Sequence, residues 1–355
     1  MKVAVYTIAL NEAHFIERWY ESVKEADYVL IADTGSDDNT VGIAKKFGIN
    51  VVQISVQPWR FDNARNAALA YLPADIDYCI ALDMDEVLLG SWRQELEKAL
   101  EQEVTRPRYK YTWSWKDELE TVPDLQYGGD KVHKRHGYRW KHPVHEVIVP
   151  DRIEEKHEWF DFEIHHHPDL SKPRSQYLPL LELAVREDPW DDRNAHYYAR
   201  ELFFNGKLKD AFLEFRRHIS LPSANWAPER ASSMRYMAKC VVGKERESWL
   251  KQATKEAPNH REAWVDLALH YYDEKKWKDC YNAAKKSLRI YQKPLEYLVE
   301  DFAWGHVPFD LAALSAYYIG LQDEAILYGK KAVEASPDNQ RLKMNLKLYE
   351  DAIIK

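Results

Sequence analysis

Apolar and polar positions follow two different rhythms along this chain, and the change between them divides it. Val3-Ala4-Val5-Tyr6-Thr7-Ile8 is a short β-rich run, and Tyr28 to Ala32, Val51 to Val56 and Tyr78 to Leu82 are three more. Between them, Glu12 to Val23 carries Phe15, Ile16, Trp19, Tyr20 and Val23 at helical spacing. Thr40 to Phe47 reads as a second helix with Gly48 as its stop, and Asn63 to Tyr71 as an alanine-rich third. Short strands alternating with helices predict a mostly parallel sheet covered by helices.

From 104 to 167 the pattern changes. Tyr109-Lys110-Tyr111-Thr112-Trp113-Ser114-Trp115 alternates, and Val144 to Val149 and Trp159 to His166 have strand character. Such alternation predicts antiparallel strands with one face buried. From about Pro173 the strand signals fade into amphipathic helix. Three phrases recur there: Asn194-Ala195-His196-Tyr197-Tyr198-Ala199 with Asn205-Gly206-Lys207, Arg261 to Ala268 with Trp277, and Leu311 to Leu314 with Gly320. Prolines 189, 258 and 337 sit in the breaks. The period of roughly 34 residues resembles tetratricopeptide repeats; the alternative is an irregular helical bundle. The boundary between the two parts is placed at 170/171, and Trp226, Trp264, Trp277 and Trp304 are read as core between repeats.

Composition changes little in this picture. Hydrophobic residues are 45% and charged residues 30% of 355 positions, with net charge −8. That balance supports a packed core and argues against a nucleic-acid binder. A local basic cluster, Lys131, Lys134, Arg135, Arg139 and Lys141, is suited to an anionic ligand. Cys79, Cys240 and Cys280 are widely spaced and read as free buried thiols. With neither a signal peptide nor a bilayer-length apolar run in the sequence, the expected location is cytoplasmic.

Four segments carry candidate chemistry. Asp83-Met84-Asp85-Glu86 follows an apolar strand; two carboxylates leaving the carboxyl end of a strand meet one hard divalent cation, Mn²⁺ or Mg²⁺. Asp33-Thr34-Gly35-Ser36-Asp37-Asp38-Asn39-Thr40 is a strand-to-helix turn in which Gly35 permits the bend and Asp33 is an acceptor for a base or ribose. The others are Leu10-Asn11-Glu12 and Phe61-Asp62-Asn63-Ala64-Arg65-Asn66, whose Arg65 suits a diphosphate.

In this order the four resemble the N-terminal half of family 2 glycosyltransferases, over roughly residues 1 to 95. The resemblance implies a GT-A fold, a Rossmann-like, mostly parallel mixed sheet, here followed by an all-α repeat domain. It implies a nucleoside-diphosphate sugar as donor, uridine being the commonest base, and inverting transfer by direct displacement. Thr7, Ile8 and Ala9 would lie against the nucleotide with Asn11 and Glu12 near it. Asp33 would hold the base beside Gly35, Asp83 would face the ribose with Met84 between it and Asp85 in the donor site, and Asp85 would ligate the metal. Thr34 departs from the pattern, since many members carry a second acid there.

Downstream, Val144-His145-Glu146 and His165-His166-His167 resemble a branch of the family in which such elements line the donor site. Alternate side chains on a strand face opposite ways, so the three histidines cannot bind one metal together. His166 follows Phe160, Phe162 and Ile164, while His165 and His167 face away; His166 or His165 is the expected partner of Asp85, with Asp83 alongside. The acceptor needs a base. Glu146 is the first candidate, with Asp124 and Asp130 as alternatives, and a Glu146–Arg139 ion pair is the structural reading of the same residue. Tyr111, Trp113, Trp115 and Trp140 are either strand packing or an aromatic floor for sugar. The acceptor is a glycan, protein or small molecule, and the repeat domain is expected to hold a partner or a second copy. A non-catalytic repeat scaffold and a sugar nucleotidyltransferase are the competing functions; the absence of glycine and basic residues in Thr7–Glu12 tells against the second.

Overall fold

The computed structural model describes residues 1–169 and 177–352. The chain divides into two units, Met1–Ala184 with Leu295–Tyr297 and Val185–Pro294 with Leu298–Lys355. The 170/171 boundary expected from sequence lies outside the described residues.

The first unit opens with β1 (Val3–Ala9), α1 (Ile16–Val23), β2 (Tyr28–Asp33), α2 (Thr40–Lys46), β3 (Asn50–Gln53), α3 (Phe61–Ala70) and β4 (Tyr78–Ala81). It continues with β5 (Glu86–Gly90), α4 (Trp92–Glu101), β6 (Arg106–Thr112), β7 (Gln126–Gly129), β8 (Val132–Lys134), β9 (Tyr138–Lys141), β10 (Val147–Pro150) and β11 (His157–His166). The main sheet has the order β3-β2-β1-β4-β8. Its first four strands are parallel, and β8 runs antiparallel along β4.

Both faces of this sheet are covered, which is why β1 reads as an unbroken apolar run. Val3 and Val5 enter one core with Trp19, Ile31, Ile80 and Trp92. Ala4 and Tyr6 enter the other with Leu30, Ala68, Leu69 and Trp140. The period of two along β1 assigns alternate residues to opposite cores.

Two local expectations are corrected. The helix expected from Glu12 starts at Ile16. Asn11 is left-handed at φ 58°, and the Glu12 amide donates to Thr40 Oγ1 at 2.8 Å, so Leu10 to Phe15 is spent on loop contacts. The middle region forms a sheet of order β5-β11-β6-β7 in which β11 pairs antiparallel with β5 but parallel with β6. Alternation reports a half-buried face and not a direction; the long β6-to-β11 path allows the parallel return. β6 also ends at Thr112, which frees Trp113 and Trp115 from the strand.

The helices are α5 (Tyr177–Glu187), α6 (Asp192–Phe204), α7 (Leu208–His218), α8 (Ala227–Cys240), α9 (Gly243–Glu256), α10 (Arg261–Asp273), α11 (Trp277–Leu288), α12 (Val307–Tyr318), α13 (Gln322–Ala335) and α14 (Gln340–Asp351). From α6 to α13 they form successive hairpins, tetratricopeptide-like in organisation. Their turns share a left-handed residue: Gly206 at φ 74°, Lys275 at φ 57° and Gly320 at φ 79°. Trp264 and Trp304 pack on the core of these helices, and Trp277 stacks on Tyr318 at 4.2 Å. Trp226 is exposed, unlike the core role expected for it. No helix among the described residues is long and apolar enough to cross a membrane.

Candidate active site

The register of the main sheet brings the motif segments together. Ala9 lies opposite Asp33 on β1 and β2, and Tyr6 opposite Ala81 on β1 and β4. All three strands therefore release their loops at one edge, where open parallel sheets bind ligands.

The first two loops are laced to each other. The Thr34 amide donates to the Ala9 carbonyl at 2.9 Å. Asn11 Oδ1 accepts from the Asp37 amide at 2.9 Å, and the Asn11 amide donates to Ser36 Oγ at 2.9 Å. The Asp33 carboxylate is wholly buried and accepts from the amides of Gly35 and Ser36, each at 3.2 Å. Gly35 at φ 112° lies where L side chains are strained. Thr7 is buried beneath this edge, and Glu12 is 8% exposed beside it.

Asp83 leaves β4 between two cations. Arg65 Nη2 donates to it at 2.7 Å and Lys131 Nζ at 2.7 Å. Arg65 reaches from α3, stacks over Trp140 at 5.0 Å, and donates through Nε to Glu146 at 2.5 Å. Glu146 thus pairs with Arg65, while Arg139, the partner considered from sequence, is exposed. Burial works against ionising the Asp83 carboxyl, but the Arg65 and Lys131 charges outweigh it and hold its pKa well below the ordinary range.

Glu86 lies directly beneath, 1% exposed. It accepts from Lys131 at 2.7 Å, from the Tyr111 hydroxyl at 2.5 Å and from the Asp83 amide at 2.8 Å. Burial raises its pKa, and Asp83 and Asp85 add to the effect. Met84 turns inward, with its side chain in the core.

Asp85 faces the end of β11. His166 Nε2 lies 3.3 Å from Asp85 Oδ2, and His166 is 7% exposed. Its Nδ1 lies 3.0 Å from the Trp113 carbonyl, and its ring stacks on Trp113 at 4.3 Å. Burial disfavours the imidazolium, and the Asp85 carboxylate overcomes this and raises the pKa. Strand alternation turns His165 away from Asp85, onto Glu163 at 3.0 Å.

The carbonyl contact assigns the Nδ1 proton of His166, which leaves the Nε2 lone pair for a metal once the ring is neutral. A carboxylate oxygen and an imidazole nitrogen 3.3 Å apart fit neighbouring positions on one divalent ion. The other two acids considered from sequence have partners of their own. Asp130 pairs with Arg106 at 3.0 Å, and Asp124, on the β6–β7 connection, accepts from Ser114 Oγ at 3.3 Å.

Residues 4–135, which hold Asp33, Arg65, Asp83 and Asp85, match the family model for glycosyl transferase family 2. This stretch is similar to family 2 glycosyltransferase domains. The chain is similar to an uncharacterized glycosyltransferase of Rickettsia bellii, 36% identical over 97 residues, which is 27% of this chain and 32% of the relative. A tetratricopeptide repeat-containing protein of Synechococcus elongatus is 35% identical over 104 residues, 28% of this chain and 25% of the relative. The chain thus matches about a third or less of the length of these relatives. Among solved structures, glucosyl-3-phosphoglycerate synthase from Mycobacterium tuberculosis, in complex with Mn²⁺, uridine diphosphate and phosphoglyceric acid, is 21% identical with TM-score 0.30, covering 38% of this chain and 56% of that one.

Sequence reasoning did not select Glu86 or Lys131 as site residues, and it weighed Tyr111 only as strand packing or as part of an aromatic floor for sugar. Lys131 was visible only as one of several basic residues near an expected anionic ligand. Its place beside Asp83 comes from β8 lying along β4.

Proposed function

We propose that this protein is a metal-dependent glycosyltransferase that moves a sugar from a nucleoside-diphosphate donor, preferably uridine diphosphate-linked, to an acceptor hydroxyl with inversion. The observation that carries this reading is the Asp85–His166 pair at the carboxyl edge of the sheet, whose Asp85 follows Asp83 within the stretch similar to family 2.

In this reading the loops of Thr7–Glu12 and Asp33–Ser36 receive the nucleoside, with Asp33 as the acceptor proposed for the base. Asp83 meets the ribose side. Asp85 and His166 would hold Mn²⁺ or Mg²⁺, which when bound supplies Lewis-acid stabilisation of the leaving diphosphate. Arg65 and Lys131 keep Asp83 ionised and contribute positive potential where phosphate charge accumulates. Trp113, stacked on His166 and 38% exposed, offers an apolar face to a sugar ring. Glu146 is the proposed base, since Arg65 ties it to the Asp83 side of the site; Asp124 and Asp130 are the alternatives. The repeat unit serves to present a glycan, protein or small-molecule acceptor, or a second copy of the chain.

The test is a donor screen. Purified protein is incubated with UDP-, GDP- and dTDP-sugars in Mn²⁺, Mg²⁺ or chelator, and nucleoside diphosphate release is followed. Metal-dependent release of one diphosphate, lost in Asp85→Ala, supports the proposal. No release, together with no calorimetric binding of any of the three diphosphates, overturns it in favour of a binding scaffold.

A further inference from the structure

Along β5 the inward positions alternate, and they are filled by Glu86 and Leu88, 1% and 2% exposed. Leu88 is core. Packing alone calls for another apolar side chain at Glu86, because a buried carboxylate loses its hydration and ion pairing does little more than offset that loss. The charge at Glu86 closes a turn instead.

The chain leaves β4 through Asp83, Met84 and Asp85 and enters β5 at Glu86. The Glu86 amide donates to the Asp83 carbonyl at 2.9 Å, and Glu86 Oε2 accepts from the Asp83 amide at 2.8 Å. Backbone and side chain of one residue therefore bond to both polar groups of Asp83's backbone, across a β-turn. The other oxygen, Oε1, accepts from the Tyr111 hydroxyl at 2.5 Å and from Lys131 Nζ at 2.7 Å. Tyr111 belongs to β6 and Lys131 precedes β8, so the carboxylate is held by two segments outside the turn.

Asp85 is the third residue of this turn. Met84 before it is fixed in the core, and the Asp85 carbonyl accepts from the His167 amide at 2.8 Å. Across the sheet, Glu86 stands opposite His166 in the antiparallel pairing of β5 with β11, and opposite residues share a face. Glu86 is thus the chain neighbour of Asp85 and the cross-strand neighbour of His166. Both halves of the 3.3 Å Asp85–His166 pair take their position from this one residue.

We propose that Glu86 is the positioning residue of the candidate metal site: it fixes the Asp83–Glu86 turn so that Asp85 meets His166, and Tyr111 and Lys131 lock its carboxylate in place. This role rests on the reading of Asp85 and His166 as the metal's ligands, and Glu86 itself touches neither ion nor sugar.

The full chain, stripped with chelator, is titrated with Mn²⁺ in the absence of donor, and the free ion is followed by electron paramagnetic resonance. Glu86→Gln keeps the size and an oxygen for the Asp83 amide but removes the charge that Lys131 and Tyr111 hold. Tyr111→Phe removes one bond and leaves the carboxylate. Each should weaken Mn²⁺ binding about 10–100-fold, the range for losing a partner that orients a ligand. In turnover assays the loss should lie in the Mn²⁺ concentration required, and saturating Mn²⁺ should restore most of the rate. Ile49→Ala, in the core on the α2–β3 connection, should lower the thermal midpoint and leave Mn²⁺ affinity unchanged. If Glu86→Gln does not fold, Tyr111→Phe carries the test. Parent-like affinity in Glu86→Gln and Tyr111→Phe, with binding lost in Asp85→Ala, would overturn the role of Glu86 and leave the metal reading standing. Equal weakening in Ile49→Ala would assign the effect to general stability and overturn it as well. No Mn²⁺ binding by the parent chain would overturn both the role and the metal reading.

Discussion

His166 Nε2 stands 3.3 Å from Asp85 Oδ2, joining the end of β11 to the loop after β4. The contact exists because β11 pairs antiparallel with β5, which sets His166 opposite Glu86, the residue next to Asp85. His166→Ala and Asp85→Ala should each lower metal-dependent donor turnover by at least about 10–100-fold, the range seen when a partner one shell further out is lost. His165→Ala, on the opposite face of the strand, should change turnover little. Steady-state diphosphate release across Mn²⁺ concentrations makes the comparison. Equal losses in His165→Ala and His166→Ala would refute the assignment.

Arg65 is 7% exposed by side chain and holds Asp83 and Glu146 through two different nitrogens. Arg65→Met leaves two carboxylates without that counter-charge and should cost about 3–5 kcal/mol. Arg65→Lys should recover only part of this, because one ammonium does not reproduce the fork. Lys24→Ala, which breaks an exposed, solvent-screened pair with Glu21, should cost far less than either Arg65 variant. Urea midpoints of the three variants test the order.

His133 makes the first unit acid-sensitive. Its Nδ1 lies 2.7 Å from the Lys134 carbonyl and Nε2 lies 3.2 Å from the Tyr6 hydroxyl, which accepts from Trp140 Nε1 at 2.7 Å. The ring is therefore held neutral, and burial lowers its pKa to about 4. Unfolded histidine titrates near 6.5. The unfolded chain then binds the proton first, so this contribution is complete above about pH 6.5 and is lost as pH falls to about 4, amounting to about 3 kcal/mol. His133→Gln should flatten the stability profile between those pH values. An unchanged slope in thermal midpoint against pH would show that His133 is not its source.

The repeat turns differ in one residue type. Gly206 and Gly320 take the left-handed conformation freely, whereas Lys275 takes it at φ 57° with a side chain. Gly320→Ala should destabilise by about 1 kcal/mol. Lys275→Gly should stabilise by a smaller amount, since the added freedom of the unfolded chain offsets part of the relief. Thermal melts of the two variants should move in opposite directions.

Much of the first unit was legible because its signals are local. The apolar run of β1, the bend at Gly35 and the acids after β4 each depend on neighbours a few residues away. The helix expected from Glu12 was misjudged because the competing partner, Thr40, is distant in sequence. The direction of β11 against β6 was misjudged because alternation is the same for parallel and antiparallel neighbours. Glu86 read as the tail of an acidic motif, yet its burial and its bonds to Tyr111 and Lys131 make it the floor of the site.

By itself the sequence determined the order of strands and helices, the family 2 motif set and the repeat character of the second half. Those properties follow from periodicity and from short motifs that chain connectivity keeps together. Only the tertiary structure decided that Lys131 neutralises Asp83, that Arg65 rather than Arg139 holds Glu146, and that His166 rather than His165 meets Asp85. Each of those depends on strand pairing or helix packing between distant segments, and side-chain charge has no sequence address for its partner.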